Sequence, residues 1–123
     1  EIDTIGLISP TTTTIRMKET VKCSRGFLYG ISRLGVTGVR TELSQDAEAL
    51  VQRIRTVSDM PVALGFGISS PEHIREVGRW ADAAVVGSGL VSVIAEFGES
   101  DDLEDRVGSY ISWLISDGLP EGP

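Results

Sequence analysis

Four times in succession a short apolar run gives way, within a few residues, to a segment with helical spacing, and few folds accept a chain patterned in that way. The apolar runs are Thr4 to Ile8, Phe27 to Ile31, Pro61 to Leu64 and Ala83 to Val86, each short and bounded by turn residues, and each is predicted to be a strand. An amphipathic segment from Ile15 to Cys23 follows the first run after the turn chemistry of Pro10 to Thr14. After the second run an exit loop spans Ser32 to Leu43. Ser44 is then a plausible N-cap for a helix carrying Ala47, Leu50, Val51 and Ile54 on one face. Ser70 before Pro71 sets a capping hydroxyl ahead of a proline suited to the first helical turn, with Ile74, Val77 and Ala81 as the buried stripe. A short helix is expected over Leu90 to Phe97. A last one follows an acidic hinge at Glu99 to Asp102, with Leu103, Val107, Tyr110, Ile111 and Leu114 recurring at helical spacing until Gly118 and Pro120 stop it.

Strands alternating with helices imply a parallel sheet with right-handed crossovers, so all four strand C-termini lie on one rim. The glycine-rich turns fall there. They are Gly35-Val36-Thr37-Gly38, Gly65-Phe66-Gly67-Ile68-Ser69 and Gly87-Ser88-Gly89, the last two each closing an apolar run and opening a helical pattern. Glycine lets the main chain approach an anion closely, and a helix start adds a favourable dipole, so the turns are read as a phosphate cradle rather than merely as tight connections. An open dinucleotide-binding sheet is disfavoured, because Ser70 and Ser92 occupy the third-glycine positions of G-x-G-x-x-G. A TIM (β/α)₈ barrel commonly holds phosphate between the loops after its seventh and eighth strands and a short helix, and the third and fourth runs here match that placement. A whole barrel takes about 250 residues. The 123 residues are therefore expected to form one domain segment, residues 1–123, equivalent to the C-terminal half of such a barrel: four βα units plus a terminal helix. A sequence that starts at Glu1 directly on an apolar run is likewise expected to be part of something longer.

Charge narrows the partners. The formal charge is −7 and no cluster of lysine or arginine offers an electrostatic footprint for nucleic acid or an anionic membrane. No apolar stretch reaches the length of a membrane span. The single cysteine, Cys23, cannot form an internal disulfide, which suits a cytoplasmic setting.

The segment Gly26-Phe27-Leu28-Tyr29-Gly30-Ile31-Ser32-Arg33-Leu34-Gly35-Val36-Thr37-Gly38 resembles the sixth strand and mobile sixth loop of the tryptophan synthase alpha chain family. Pro61 to Glu72 resembles its seventh strand and loop, Ile8-Ser9-Pro10-Thr11-Thr12 the exit of its fifth, and Val85-Val86-Gly87-Ser88 its eighth. The resemblance implies a carbon–carbon lyase of tryptophan biosynthesis that splits indole-3-glycerol phosphate into indole and glyceraldehyde 3-phosphate by a retro-aldol step, without metal or organic cofactor, beside a beta chain that receives the indole. Carried over by position, Gly38, Gly67, Gly87 and Ser88 would hold the phosphate. Tyr29, Phe66 and Val85 would flank the indole ring, with Tyr29 also a candidate auxiliary near the reacting atoms. Arg33 and Thr37 would lie on the loop that closes over the ligand.

The family's two catalytic carboxylates lie on and after its second strand, outside the half that this sequence resembles. Nothing here replaces them: Glu42, Asp46, Glu72 and the Asp101-to-Asp105 group read as helix-start charge, and His73 as a capping or surface residue in a first helical turn. The segment alone is therefore expected to be inactive, needing the N-terminal half-barrel. A rival reading is a non-catalytic phosphate-binding half-barrel that pairs with a second copy, since four parallel strands leave two bare edges. The sugar isomerases of histidine biosynthesis resemble the glycine turns but not the context of Gly35 to Gly38. Gly30, inside a strand, implies a bulge or a close backbone approach.

Overall fold

The computed structural model describes residues 1–32, 45–65 and 67–116. Their elements alternate as the sequence predicts: β1 (Gly6–Ile8), α1 (Thr14–Cys23), β2 (Leu28–Ile31), α2 (Gln45–Arg55), β3 (Val62–Gly65), α3 (Pro71–Gly78), β4 (Ala83–Val85), α4 (Ser88–Phe97) and α5 (Leu103–Leu114). The strands form one sheet in the order β1-β2-β3-β4, every pair parallel. Parallel neighbours joined through helices carry all four strand C-termini to one rim.

The pleat divides the strand residues between two faces. Ile8, Leu28, Val62 and Leu64 point to the helical layer and join Met17, Ala47, Leu50, Val51, Ile54 and Val77 in one buried cluster. The face of α2 predicted from Ala47, Leu50, Val51 and Ile54 is thus the centre of the core. The opposite face carries Leu7, Tyr29, Ala63 and Ala83 in a single register row. Leu7 is 61 % exposed there, so the helices described here cover one side of the sheet only.

Helix boundaries follow local chemistry. Thr13 caps α1 by accepting from the Arg16 amide at 3.3 Å, and Ser70 caps α3 by accepting from the His73 amide at 3.4 Å, with Pro71 beginning the helix. Other expectations need adjustment. The first three strands begin one or two residues later than expected, β3 runs on to Gly65 and β4 ends at Val85, while Thr4 accepts from the Arg25 amide through its carbonyl at 2.9 Å. Ile15 is 74 % exposed because the α1 face that packs runs through Met17 and Val21. Ala81 lies beyond the end of α3 but still packs on the core. Within α5, Tyr110 and Leu114 are buried while Ile111 is 43 % exposed. The Ser44 cap, Glu42 and the Gly118-Pro120 stop lie outside the described residues.

Gly30 marks close packing and not a bulge. Its register with Ile8 and Leu64 is unbroken, and a Cβ there would lie 3.2 Å from Leu64 Cδ1 and 3.6 Å from Leu50 Cδ2, where α2 presses on the sheet.

At the opposite rim Asp82 ties β3 to β4. Its carboxylate accepts from the Val62 amide at 2.9 Å and from Arg55 at 3.0 Å, while its own amide donates to the Val62 carbonyl at 2.9 Å. The Val62 amide and the Arg55 guanidinium together hold the carboxyl below the ordinary aspartate range. A lowered folded-state value stabilises above the unfolded range and loses that contribution as pH falls through the folded value. Asp82→Asn is therefore expected to lower stability at neutral pH by about 0.5–1 kcal/mol, allowing for solvent screening of a half-exposed pair. The gap from the parent should narrow as pH falls below about 4, where the unfolded chain's aspartate takes up protons first and the folded carboxylate follows at lower pH. Urea midpoints measured from pH 7 down to pH 3 check this, and an unchanged gap at pH 3 contradicts it.

Candidate functional site

The rim at the strand C-termini presents three loops whose described residues can be followed atom by atom. After β1, the Ser9 amide donates to Thr12 Oγ1 at 3.0 Å, closing a compact polar turn ahead of α1. After β3, Gly67 adopts a φ of +79°, a conformation open to glycine and strained for most other residues. The next residues are held down: Ile68 is buried in the core, and the Ser69 amide donates to His73 Nδ1 at 3.2 Å. His73 thus takes the capping role read from the sequence and also braces the glycine loop.

After β4 the turn is shorter than expected. Gly87 is the N-cap of α4, and the helix already includes Ser88 and Gly89, so the amides of this turn are the free donors of a helix start. Among the described residues no side-chain cap bond is made to them. Among the described residues, nothing lies within 4 Å of where a Cβ at Gly87 would stand. Gly87 and Ser88 are both exposed. β3 and β4 are adjacent, so the Gly67 loop and the uncapped start of α4 are neighbours on the rim. Backbone donors from two loops and one hydroxyl can surround an anion without a cation.

Beside them the inner face supplies an apolar wall. Tyr29 and Val85 approach Gly65 from opposite sides: a Cβ built on Gly65 would collide with the Tyr29 hydroxyl, lie 2.9 Å from Tyr29 Cζ and 3.2 Å from Val85 Cβ. The absence of a side chain at Gly65 is what lets Tyr29 lie across β3 toward Val85. The structure therefore brings together Tyr29, Val85, Gly67, Gly87 and Ser88 on one end of the sheet. Arg33, Thr37, Gly38 and Phe66 lie outside the described residues.

Among the described residues, Asp46, Glu72, Asp102, Glu104 and Asp105 sit at helix starts, as read from the sequence. The Glu72 carboxyl is lowered by its own backbone amide and the Ser70 hydroxyl, and that of Asp102 by the Arg106 guanidinium at 2.9 Å. Glu72 lies in the first turn of α3 and Asp102 is the N-cap of α5, so both are helix-start charges. Among the described residues no group of three or more histidine, cysteine or acidic side chains is placed to hold a metal ion, and no helix is long and apolar enough to cross a membrane.

One residue of the rim was missed. Tyr110 reads in the sequence as one more apolar position of α5, yet its hydroxyl donates to the Ser69 carbonyl at 3.4 Å and rests against Gly89. Burial raises its phenol above the ordinary value, so the group is a neutral donor across the physiological range.

Comparison with known proteins accounts for this arrangement. The sequence profile of the family described as tryptophan synthase alpha chain matches residues 1–111. The alpha chain of Solibacter usitatus is 44 % identical over 109 residues, covering 89 % of this chain and 41 % of the relative. That of Methanopyrus kandleri is 42 % identical over 123 residues, covering 99 % of this chain and 44 % of the relative. Among solved structures, the tryptophan synthase A-subunit from the hyperthermophile Pyrococcus furiosus superposes with a TM-score of 0.78 at 31 % identity, over 93 % of this chain and 45 % of that one. An aminoacrylate-bound tryptophan synthase from M. tuberculosis gives 0.74 at 33 % identity, over 93 % of this chain and 39 % of that one. The chain thus spans less than half the length of these relatives and has the fold of the corresponding part of their TIM barrel. A parallel β/α sheet whose glycine loops share one rim, matched by sequence and by shape along nearly its whole length, belongs to the tryptophan synthase alpha chain family.

Proposed function

We propose that this chain supplies the phosphate- and indole-binding half of a (β/α)₈ lyase that cleaves indole-3-glycerol phosphate into indole and glyceraldehyde 3-phosphate, beside a beta chain that receives the indole. The observation that carries the reading is the adjacency of the positive-φ Gly67 turn and the Gly87-Ser88 helix start on the rim of a chain of this family. Together with Gly38 they hold the phosphate, and the Ser88 hydroxyl adds a donor. Tyr29, Phe66 and Val85 flank the indole ring. Arg33 and Thr37 belong to a loop that closes over the ligand and excludes water.

Cleavage requires proton transfer at the glycerol hydroxyl and at the indole carbon. In this reading the carboxylates that perform it come from the first four βα units, and residues 1–123 form one C-terminal half-barrel segment without activity of its own. No metal or organic cofactor takes part. The reading places the protein in the cytoplasm, where a lone exposed thiol such as Cys23 stays reduced.

The test joins this sequence to the first four βα units of a relative such as the Methanopyrus kandleri alpha chain and assays indole release. Cleavage by the joined protein and none by the 123 residues alone is the expected result; no cleavage by either contradicts it. The exposed inner-face residues Leu7 and Ala83 favour, as a second reading, a phosphate-binding half-barrel that pairs with another copy of itself. A dimer by size-exclusion mass that binds phosphate, coupled with inactivity of the joined protein, would select that reading.

A further inference from the structure

A single hydroxyl joins the two donor turns from behind. Tyr110 projects from α5, and its Oη donates to the carbonyl of Ser69, 41 residues away in the chain and just past Gly67. The same oxygen fills the place that a Gly89 Cβ would occupy, with Tyr110 Cζ at 3.3 Å and Ser69 Cβ at 3.7 Å from that position. Gly89 is in the first turn of α4, just past Gly87. The phenol is held in turn: Tyr110 is 8 % exposed, and its ring lies 5.8 Å from that of Trp113.

These contacts give the two glycines of Gly87-Ser88-Gly89 different duties. A Cβ at Gly87 would meet none of the described residues within 4 Å, whereas Gly89 is bare because Tyr110 occupies its side-chain volume. Among the described residues no side-chain cap fixes the start of α4, and Tyr110 packs it against the residue after the Gly67 turn. Several donors share one phosphate only when each comes within about 3 Å of an oxygen, and a displacement of about 0.5 Å in one loop degrades the set.

We infer that Tyr110 is a positioning residue for phosphate binding, its hydroxyl fixing the separation between the Gly67 turn and the Gly87-Ser88 helix start. This rests on the phosphate site proposed above and adds to it a residue from the outer helical layer that touches no substrate atom. Packing alone would be satisfied by phenylalanine, whose ring fills the same pocket. The hydroxyl is what reaches both turns.

The experiment compares Tyr110→Phe with the parent in the full-length alpha chain that carries this segment. KM for indole-3-glycerol phosphate and the inhibition constant for inorganic phosphate should both rise about 3- to 10-fold, the range one lost hydrogen bond supports. The value of kcat should stay within about twofold, because the interaction serves binding of ground state and transition state alike. Leu114→Ala, a buried truncation on the same helix, should lower the melting temperature and leave both constants alone. Gly89→Ala, which forces a methyl into the hydroxyl, should weaken phosphate in the same direction even if Tyr110→Phe folds poorly. Unchanged constants in Tyr110→Phe, or an equal rise in Leu114→Ala, overturn the role of Tyr110. A parent protein indifferent to both phosphate and substrate overturns the phosphate site itself, and this inference with it.

Discussion

Gly87→Asp is expected to abolish phosphate binding while leaving the protein as stable as the parent, or slightly more so. Gly87 has a negative φ of −113°, and among the described residues nothing lies within 4 Å of a Cβ built there. Aspartate is a favoured N-cap, and a negative charge at a helix start gains from the dipole, so the folded state accepts the change. The same carboxylate stands where the dianionic ester is proposed to sit. Juxtaposed like charges cost several kcal/mol, so affinity for inorganic phosphate and for indole-3-glycerol phosphate should fall by about 100-fold or more. Thermal melting and a phosphate titration of the same preparation check both halves. Loss of stability with retained affinity would mean that the helix start is structural and the anion sits elsewhere.

Gly65→Ala should act on the indole side of the site and through a different cause. The new methyl collides with the Tyr29 hydroxyl and comes within 3.2 Å of Val85 Cβ, so the ring of Tyr29 must swing out. A half-buried aromatic at the end of a strand can make that movement, and the stability cost is held to about 1–3 kcal/mol. The functional cost is larger if Tyr29 flanks the indole as proposed, because displacing such a ring by about 1 Å is worth roughly 100-fold in kcat/KM. Tyr29→Ala in the same protein removes the collision, so the double variant should be more stable than the sum of its singles by about 0.5–3 kcal/mol, yet still impaired. Denaturant midpoints of the four-member cycle measure the coupling. Additive losses would show that Tyr29 and Gly65 do not meet.

The two glycines illustrate what a sequence does and does not disclose. Turn glycines such as Gly67 announce their conformation by type and by place, ahead of Ser70-Pro71 and a helical stripe. Gly30, Gly65 and Gly89 look alike in sequence, but their bareness answers to Leu50 with Leu64, to Tyr29, and to Tyr110 respectively. Nothing local encodes which distant side chain claims the Cβ volume. The same limit hid Tyr110, whose helical spacing in α5 marks it as buried without disclosing that its hydroxyl reaches Ser69.

Burial patterns divide in the same way. The α2 face of Ala47, Leu50, Val51 and Ile54 was legible because its partner is the sheet next to it in the chain. The exposure of Ile15, Ile111 and Leu7 was not, because periodicity reports that a face is apolar and not what covers it. Of the proposed site, Tyr29, Val85, Gly67, Gly87 and Ser88 came together on one rim once the parallel order was known. Parallel order itself followed from the βα alternation.

The central claim is that main-chain amides on neighbouring strands grip a phosphate without help from a cation. An amide-resolved NMR titration of the isotope-labelled full-length alpha chain with inorganic phosphate tests it most directly. The account predicts that the Gly67, Ser88 and Gly89 amides shift together along one saturation curve, with lysine and arginine side chains unaffected. Silent amides at those positions, or shifts confined to basic side chains, would contradict it.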